Sequence, residues 1–466
     1  MISRHDAHGY WLREAGRPEP TAPLHGEHSA DVVVIGGGYT GLWTAWHIKR
    51  LEPEANVVLL EAGRCGEGPS GRNGGFCNSM WFHLPALRDR FGDDAAITFA
   101  RAAQESVHEV GRFCDEQRVD AWFHLGGYLQ VSTAPAYDGS WEPYAQACDE
   151  LGEPDACVPL SADEVKGRCA SPIFRGGALY AGSATVHPAR LAQGLRLRAL
   201  EAGVAIHENS GVLGLSPEVG GTSVVTDSGA VRTSQVVLAA GARAPTLARP
   251  LRRRLTVTSS HMVITEPVPE VLDELEWTGG ECITDSRALV HYFRTTPDGR
   301  IAFGWGGGRV VPGVRLNGRA ELDPSLADVV AHHLWRFFPQ LRGRRIDHAW
   351  GGPIDVSPTH LPIVGSPSPG LHFAFGYTGN GVGPCQLAGR ILASLALDRR
   401  DEPTRLPIVD PAPVKVPPEP FRYVGGAIVR RAMVRRESAE ELDRRPGALS
   451  SFVAGIPERI GIHVGR

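Results

Sequence analysis

Gly36, Gly38 and Gly41 have the G-x-G-x-x-G spacing of a turn that brings the backbone close to phosphate groups. The turn follows an apolar run, 31–35, that is typical of a buried parallel strand, and it precedes a segment with helical character. At a helix N-terminus the unpaired N–H groups and the dipole favour a pyrophosphate. Glu61 lies 20 residues beyond Gly41, where a carboxylate can bind ribose hydroxyls. The pattern predicts a dinucleotide site in a β-α-β unit; an incidental glycine-rich turn is the alternative.

A second glycine-rich segment, 65–76, begins four residues after Glu61 and contains the sequence Ser-Gly-Arg-Asn-Gly-Gly at 70–75. A loop with so many glycines can lie flat against a large planar cofactor and offer it backbone amides. The stretch resembles the D-amino acid oxidase-like family of FAD-dependent oxidoreductases, which includes glycine and sarcosine oxidases. Within that family it is most similar to the branch of γ-glutamylputrescine oxidase and aminophosphonate oxidoreductases. The resemblance extends through most of residues 10–400 and implies FAD as the cofactor.

The resemblance also implies which residues bind FAD. Val212 occupies the adenine-contact strand of the family, Gly241 follows its second FAD-binding strand, and a glycine-rich loop precedes its last long helix. Such a loop directs amides and the positive end of a helix dipole at the N1–C2=O edge of the flavin. The complete implied set is Gly36, Gly38, Tyr39, Thr40, Gly41, Glu61, Ser70, Arg72, Asn73, Gly74, Gly75, Val212, Gly241, Gly376, Gly379, Asn380, Gly381 and Val382. Because Gly351 and Gly352 stand where covalent-flavin relatives carry cysteine, non-covalent FAD is expected.

The source of the electrons follows from what the sequence lacks. No second G-x-G-x-x-G motif lies in a β-α-β context, so the electrons are expected from the substrate and not from NAD(P)H. The resemblance implies oxidation of an amine C–N bond by hydride transfer to FAD, hydrolysis of the imine, and reduction of oxygen to hydrogen peroxide. Gly352 stands where glycine and D-amino acid oxidases carry an arginine that clamps the α-carboxylate. This departure favours a primary or secondary amine with a remote anionic group, such as an aminophosphonate or a γ-glutamylamine.

Two other functions remain open. A flavin-dependent amine or amino acid dehydrogenase would pass its electrons to a carrier instead of oxygen. An FAD-binding tRNA-modifying protein or a non-catalytic subunit would serve a macromolecule. The mildly acidic balance, with net charge −4 and pI near 6.5, argues against RNA.

His261, Tyr292 and Arg294 are the candidates for catalysis. The resemblance places His261 over the flavin ring. The alternative is a histidine that makes its hydrogen bonds inside a sheet. Tyr292 and Arg294 lie two apart on a predicted strand, so both side chains point to one face. They would offer a hydroxyl and a guanidinium to an acidic substrate group, unless they are surface residues of the strand. Because 167–414 contains no lysine, a cation over the flavin must be a histidine or an arginine, such as His261, His291 or Arg294.

The element pattern predicts an α/β protein, α+β overall, in which a Rossmann-like FAD-binding domain is interleaved with an antiparallel-sheet substrate domain. The expected FAD-binding parts are 1–90, 181–250 and 346–400, and the expected substrate-domain parts are 91–180 and 251–345. A Pro-rich linker and a C-terminal helical extension occupy 401–466.

The composition indicates the cellular location and the kinds of partner to expect. The 466 residues contain no run approaching the roughly 18 apolar residues of a membrane span, and residues 1–30 carry no signal-peptide pattern. Eight scattered cysteines without a C-x-x-C pair indicate reduced thiols. We expect a cytoplasmic protein without metal, membrane or nucleic-acid partners, which takes a small-molecule amine and either oxygen or an electron carrier. The Arg-rich terminal helix, docked through Ile428 and Met433, is a candidate contact in a homo-oligomer.

Overall fold

A computed structural model of the chain describes residues 2–314, 316 and 318–463. The strands in chain order are β1 Gly26–Ser29, β2 Val32–Ile35, β3 Val57–Leu60, β4 Phe76–Cys77, β5 Tyr128–Val131, β6 Val158–Leu160, β7 Gly177–Tyr180, β8 Ala184–Thr185, β9 Ala205–His207, β10 Gly214–Glu218, β11 Gly221–Val225, β12 Gly229–Thr233, β13 Gln235–Leu238, β14 Thr256–Thr265, β15 Cys282–Asp285, β16 His291–Thr295, β17 Ile301–Trp305, β18 Ile346–Val356, β19 Ile363–Ser368 and β20 Leu371–Phe375. The α-helices are α1 Gly9–Glu14, α2 Tyr39–Leu51, α3 Pro69–Arg72, α4 Leu84–Phe91, α5 Asp93–Glu116, α6 Glu142–Glu150, α7 Ala162–Lys166, α8 Pro188–Glu201, α9 Ala244–Leu247, α10 Pro269–Glu274, α11 Pro324–Phe337, α12 Val382–Ala396, α13 Phe421–Glu440, α14 Ala448–Ala454 and α15 Ile456–Arg459.

Five parallel strands and one antiparallel edge strand form a six-stranded sheet in the order β19-β20-β13-β2-β3-β9. The central strands β2 and β3 are apolar at every position because both of their faces are covered. Val32 and Val34 pack into the core formed with α2 and α12. Val33 and Ile35 point the other way, into the core shared with the four-stranded sheet β1-β12-β11-β10. The predicted β-α-β unit is confirmed as β2–α2–β3.

An eight-stranded sheet has the order β18-β14-β17-β16-β15-β5-β7-β6 and is antiparallel except between β15 and β5. Phe293 and Phe303 of this sheet pack with Phe337 of α11 in its core. The two sheets confirm the expected combination of a nucleotide-binding fold and an antiparallel sheet. The strand β18 pairs with β14 along its length, although the sequence assigned residues 346–400 to the FAD-binding part. The eight-stranded sheet therefore continues to Val356.

The C-terminal segment packs back onto the rest of the chain. Met433 of α13 is buried in a cluster with Ala454, and Leu289 packs against that cluster. Glu437 Oε1 accepts a hydrogen bond from Leu289 N at 3.0 Å. Met433 is thus buried as expected, whereas Ile428 is 55% exposed because it lies on the opposite side of the helix from this contact. No helix within the described residues has the length and apolarity needed to cross a membrane.

Candidate active site

A cavity of about 1300 Å³ has walls from both large sheets. Ile35, Leu60 and Ala239, at or directly after the carboxyl ends of β2, β3 and β13, form one part of it. Alternate residues of β14 and the second half of β18 form another. Ligands of parallel α/β sheets bind beyond the carboxyl ends of the strands, and this volume exceeds the need of a small substrate alone.

The turn between β2 and α2 closes one end of this cavity. A Cβ atom on Gly41 would collide with the Gly36 carbonyl oxygen, so a glycine at 41 lets the helix pack against the turn. Gly38 is the N-cap of α2 and lines the cavity. The Glu61 carboxylate follows β3, accepts hydrogen bonds from Gly37 N at 2.7 Å and Gly63 N at 2.8 Å, and also faces the cavity. Burial raises the pKa of Glu61 despite these two bonds.

The glycine-rich segment 65–76 is fixed by its own polar side chains. Ser70 Oγ accepts a hydrogen bond from Tyr39 N at 2.9 Å, which ties the segment to the start of α2. Asn73 Oδ1 accepts from Gly75 N at 2.7 Å. Trp350 Nε1 of β18 donates to Arg72 O at 2.8 Å. The segment therefore bridges the nucleotide turn and the eight-stranded sheet.

The loop before α12 forms a third wall. Asp355 Oδ2 accepts a hydrogen bond from Gly376 N at 2.6 Å, and Asp355 O accepts from Thr378 N at 3.0 Å. Burial raises the pKa of Asp355 to about 6. A hydrogen bond of 2.8 Å joins Tyr377 OH to Thr40 Oγ1 of α2. The helix α12 then begins at Val382 with Gly381 as its N-cap, and both residues line the cavity.

Comparison with known proteins identifies this arrangement. Residues 31–395 match the family described as FAD dependent oxidoreductase, DAO, and this match spans both sheets that line the cavity. The chain belongs to this family. It is an FAD-dependent oxidoreductase, as its resemblance to the D-amino acid oxidase-like family implied.

Individual relatives match most of the chain. Gamma-glutamylputrescine oxidoreductase of Escherichia coli is 30% identical over 402 residues, which cover 83% of this chain and 88% of that protein. Glycine oxidase of Pseudomonas putida is 27% identical over 400 residues, which cover 83% of this chain and 98% of that protein. The solved structure of glycine oxidase from Geobacillus kaustophilus aligns with a TM-score of 0.67 at 20% identity, over 82% of this chain and 98% of that one. This last similarity confirms the fold.

FAD is the cofactor of the family, and the cavity fits it. Two helices, α2 and α12, open onto the cavity at N-caps that are glycines, Gly38 and Gly381, which carry no capping side chain of their own. In α2, Tyr39 N donates to Ser70 Oγ. Such helix ends bind a pyrophosphate and stabilise negative charge on a flavin. Val212 lines the cavity two residues after Ser210, whose N–H donates to Glu61 O, and this position suits an adenosine. Gly241 lines the cavity near Asp355. When bound, FAD supplies the two-electron acceptor of the reaction.

All but three of the predicted cofactor residues line the cavity. The exceptions are Gly41, Gly75 and Gly376, which lie immediately behind it. Gly41 packs against the turn, and Gly376 donates its N–H to Asp355. A side chain at Gly75 would meet the Val186 carbonyl oxygen and Arg294 Nη1. The structure therefore places these three as supports of the wall.

His261 does not reach the cavity. In β14 the side chains alternate between faces, and Thr258, Ser260 and Met262 are the ones that face the cavity. His261 points the opposite way, is inaccessible to solvent, and accepts a hydrogen bond on Nε2 from Asp323 N at 3.2 Å. Burial lowers the pKa of His261 to about 4, so the ring is neutral at physiological pH. The hypothesis that it lies over the flavin is corrected to the alternative of a histidine inside the sheet.

Tyr292 and Arg294 project from one face of β16, but only Tyr292 lines the cavity. Tyr292 lines the cavity, and its ring occupies the space over Gly304, where a Cβ atom would collide with it. Tyr292 OH lies 2.7 Å from Ser260 Oγ, which donates its own proton to Trp305 O at 2.9 Å. Arg294 is 2% exposed and lies outside the cavity lining. The expected joint grip on an acidic group is therefore not formed.

Arg294 and His291 hold backbone and side chains instead of facing the flavin site. Arg294 Nη1 donates to Val186 O at 2.6 Å and Nε donates to Thr295 O at 3.0 Å. His291 is fully buried, with Nδ1 2.6 Å from Asp285 Oδ2. None of the three cations that the sequence proposed for the flavin lines the cavity. Burial is the physical reason, since each ring or guanidinium faces the interior of the fold.

Other cavity residues were missed from the sequence. Ser260, Met262 and Trp350 come from the eight-stranded sheet, and Arg430 and Met433 come from α13. Alternation along β14 was a usable signal for Ser260 and Met262, provided that the buried face was assigned correctly. No signal in the sequence placed α13 at the cavity, because its contacts there are with residues far away in the chain.

Proposed function

We propose that the protein is an amine oxidase that uses FAD to oxidise the C–N bond of a primary or secondary amine with a remote anionic group. The imine is hydrolysed, and oxygen is reduced to hydrogen peroxide. The anionic group is a phosphonate, as in an aminophosphonate, or the carboxylate of a γ-glutamylamine. Non-covalent FAD is part of this proposal, because burial raises the pKa of the cavity-lining Cys385 thiol to about 12 and keeps it unreactive.

The observation that carries the proposal is the open space at Gly352. Gly352 lines the cavity directly opposite Ser260 in the β14–β18 pair. A Cβ atom there would meet no heavy atom of the described residues within 4 Å. The position that carries a carboxylate-clamping arginine in α-amino acid oxidases of the family is therefore empty space here. A substrate carboxylate next to the reacting carbon would find no guanidinium at this point.

The wall around Tyr292 can orient a neutral amine. Because the proton of Ser260 is donated to Trp305 O, Tyr292 OH donates to Ser260 and keeps its own lone pairs for an amine N–H. Burial raises the pKa of Tyr292 to about 12, so the phenol keeps its proton through the physiological range. Met262 and Trp350 make the neighbouring wall apolar, which excludes water and favours the uncharged amine over the ammonium ion.

The comparisons support the substrate class. Gamma-glutamylputrescine oxidoreductase, by its name, acts on an amine that carries a carboxylate away from the reacting nitrogen. Its identity to this chain is similar to that of the glycine oxidases, so the choice between remote-anion amines and α-amino acids depends on Gly352.

Oxygen uptake and peroxide release over a panel of amines test the proposal. The panel pairs an aminoalkylphosphonate and a γ-glutamylated diamine with glycine, sarcosine and an uncharged alkylamine. We expect the two remote-anion amines to give the highest kcat/KM, with one peroxide formed for each oxygen consumed. Preferred turnover of glycine or sarcosine would overturn the substrate class. Reduction of the flavin without peroxide formation would show a dehydrogenase that uses a carrier.

A further inference from the structure

The helix α13 forms part of the cavity although it lies outside the region that matches the family. The family match ends at residue 395, and α13 spans Phe421–Glu440. Gly426, Val429, Arg430 and Met433 of this helix line the cavity. Their spacing of three and four residues puts them on one helix face. This face closes the cavity at the end where Tyr292 and Ser260 lie, because Arg430 contacts the segment that directly follows β17.

Arg430 is held at the cavity by neutral groups. Its Nε donates to Gly307 O at 2.9 Å, and its guanidinium also contacts Gly308 O. The guanidinium carbon lies 5.9 Å from the centre of the Trp305 ring. Nη1 makes no hydrogen bond to any residue in the described part of the chain. One edge of the guanidinium is therefore free for a ligand.

The other charges around Arg430 leave the region positive. Asp323 and Arg309 both act on Arg430 electrostatically, and these two are bound to each other, with Arg309 Nε 2.5 Å from Asp323 Oδ2. The Asp323 carboxylate is thus paired with Arg309 and not with Arg430. Among the other cavity-lining arginines, Arg72 pairs with Glu321 and Arg422 pairs with Glu419, whereas Arg64 and Arg243 belong to the segments that follow Glu61 and Gly241. A partly buried cation without its own carboxylate favours an anion.

A continuous wall connects Arg430 with the flavin end of the cavity. A Cβ atom on Gly74, in the flavin-lining segment, would lie 3.1 Å from the Tyr292 ring. Tyr292 OH then contacts Ser260 Oγ, and Ser260 Oγ contacts Trp305 O. Gly307, two residues beyond Trp305, accepts the hydrogen bond from Arg430. Along this wall Tyr292 lies between Gly74 and Arg430. An amine held at Tyr292 would thus have the flavin-lining segment on one side and Arg430 on the other.

We propose that Arg430 is the specificity-determining residue that binds the anionic group of the substrate, so that α13 is a component of the substrate site. This inference rests on the proposed function and identifies which part of the chain recognises the remote anion. A guanidinium offers parallel N–H groups that match a phosphonate or a carboxylate, and its free edge provides them here. The amine and the anion of the substrate must then be separated by a spacer, which excludes simple α-amino acids.

The test compares Arg430→Gln with Arg431→Gln as a matched control. Arg431 is the next residue of the same helix, is exposed, and lies outside the cavity lining. The probes are aminoethylphosphonate and its dialkyl diester, in which esterification removes the charge of the remote group and adds two alkyl groups. We expect Arg430→Gln to raise KM for the phosphonate by roughly 10- to 100-fold, the value of a charged hydrogen bond, with a much smaller change in kcat. The diester and the Arg431→Gln variant should show no comparable change.

The outcomes separate the two proposals. If the wild-type protein oxidises neither aminoethylphosphonate nor a γ-glutamylated amine, the proposed function fails, and this inference fails with it. If the wild type oxidises them and Arg430→Gln does so equally well, the function stands and the inference is overturned. Equal losses on phosphonate and diester, with a lower Tm, would show that Arg430 only anchors α13 and would also overturn it. Arg430→Lys should have a KM for the phosphonate between those of the wild type and Arg430→Gln. Lysine keeps the positive charge but lacks the two parallel N–H donors of a guanidinium.

Discussion

The guanidinium of Arg294 lies directly behind Gly75, in the glycine-rich segment 65–76 at the cavity. Arg294 Nη1 is 3.3 Å from Gly75 O, and a Cβ atom on Gly75 would lie 2.5 Å from this nitrogen. Gly75 also has a φ of +75°, which side-chain-bearing residues rarely adopt. Arg294 thus supports the backbone of the segment 65–76, and we propose a positioning role for it.

Arg294→Met is expected to destabilise the glycine-rich segment 65–76. The substitution leaves the Val186 carbonyl without its buried donor, which costs about 1–3 kcal/mol of folding free energy, whereas the Gly75 carbonyl keeps its hydrogen bond from Val186 N. We predict a lower Tm and weaker retention of FAD during dialysis, with KM for the amine little changed in the fraction that keeps FAD. The control is Arg294→Lys, which keeps one donor. A large rise in KM without loss of FAD would instead show that Arg294 binds the substrate.

Tyr292→Phe is expected to reduce kcat/KM by about 2- to 10-fold, the value of one hydrogen bond between neutral groups. The ring over Gly304 stays, so the FAD content and Tm should match those of the wild type. Because the pKa of Tyr292 is about 12, the pH profiles of the two proteins should run parallel between about pH 6 and about pH 10. Loss of a titrating limb in the variant would contradict this orienting role and indicate proton transfer by the phenol.

Asp355→Asn is expected to change how stability depends on pH. The pKa of Asp355 is about 6 in the folded protein, above its ordinary 3.8, so between these values the folded state binds more protons than the unfolded state. This carboxylate therefore contributes least to stability above pH 6, and its contribution recovers as the pH falls towards 4. We predict that the Tm difference between Asp355→Asn and wild type, in the variant's favour, is largest above about pH 6 and smallest near pH 4. A difference independent of pH would contradict the shifted pKa.

Gly352→Arg is expected to change the substrate preference. The open space at Gly352 can accept a long side chain, so the variant should fold, and its guanidinium would face the cavity next to Ser260. We predict that the ratio of kcat/KM for sarcosine to that for aminoethylphosphonate rises by about tenfold or more, since a charged hydrogen bond is gained for the α-carboxylate. Gly352→Ala is the control for bulk alone. An unchanged ratio would mean that this wall does not contact the substrate.

The nucleotide end of the site could be predicted from the sequence because its information is local. Gly36, Gly38, Gly41 and Glu61 belong to one β-α-β unit, whose geometry follows from the motif. The same holds for the segment 65–76, which begins four residues after Glu61. Within such a unit, spacing along the chain determines which backbone atoms face the phosphates and the flavin.

The substrate end could not be predicted in the same way, because it depends on strand faces and distant contacts. A shift of one residue moves a side chain to the other face of a sheet, and His261 lies between the cavity-facing Ser260 and Met262. Tyr292 and Arg294 do share a face, but the segment ending at Gly75 covers Arg294 and leaves Tyr292 open. These outcomes depend on packing between residues more than a hundred positions apart.

The helix α13 shows the same limit on a larger scale. Its helical character was predicted, together with the burial of Met433, from the pattern of apolar residues. Its position at the cavity depends on Arg430 reaching the carbonyls of Gly307 and Gly308, which no periodicity within the helix encodes. The same pattern also predicted docking through Ile428, which is 55% exposed, so it identified the buried face only in part and did not identify what that face covers.

Anaerobic titration of the purified protein with aminoethylphosphonate, followed by the visible flavin spectrum, tests the central claim most directly. We predict a yellow protein that releases FAD on denaturation, loses its visible flavin absorbance as the amine is added, and regains it with peroxide formation when air is admitted. Protein that stays colourless after incubation with FAD would contradict the assignment of the cavity. A bound flavin that neither this amine nor a γ-glutamylated amine reduces would contradict the proposed reaction.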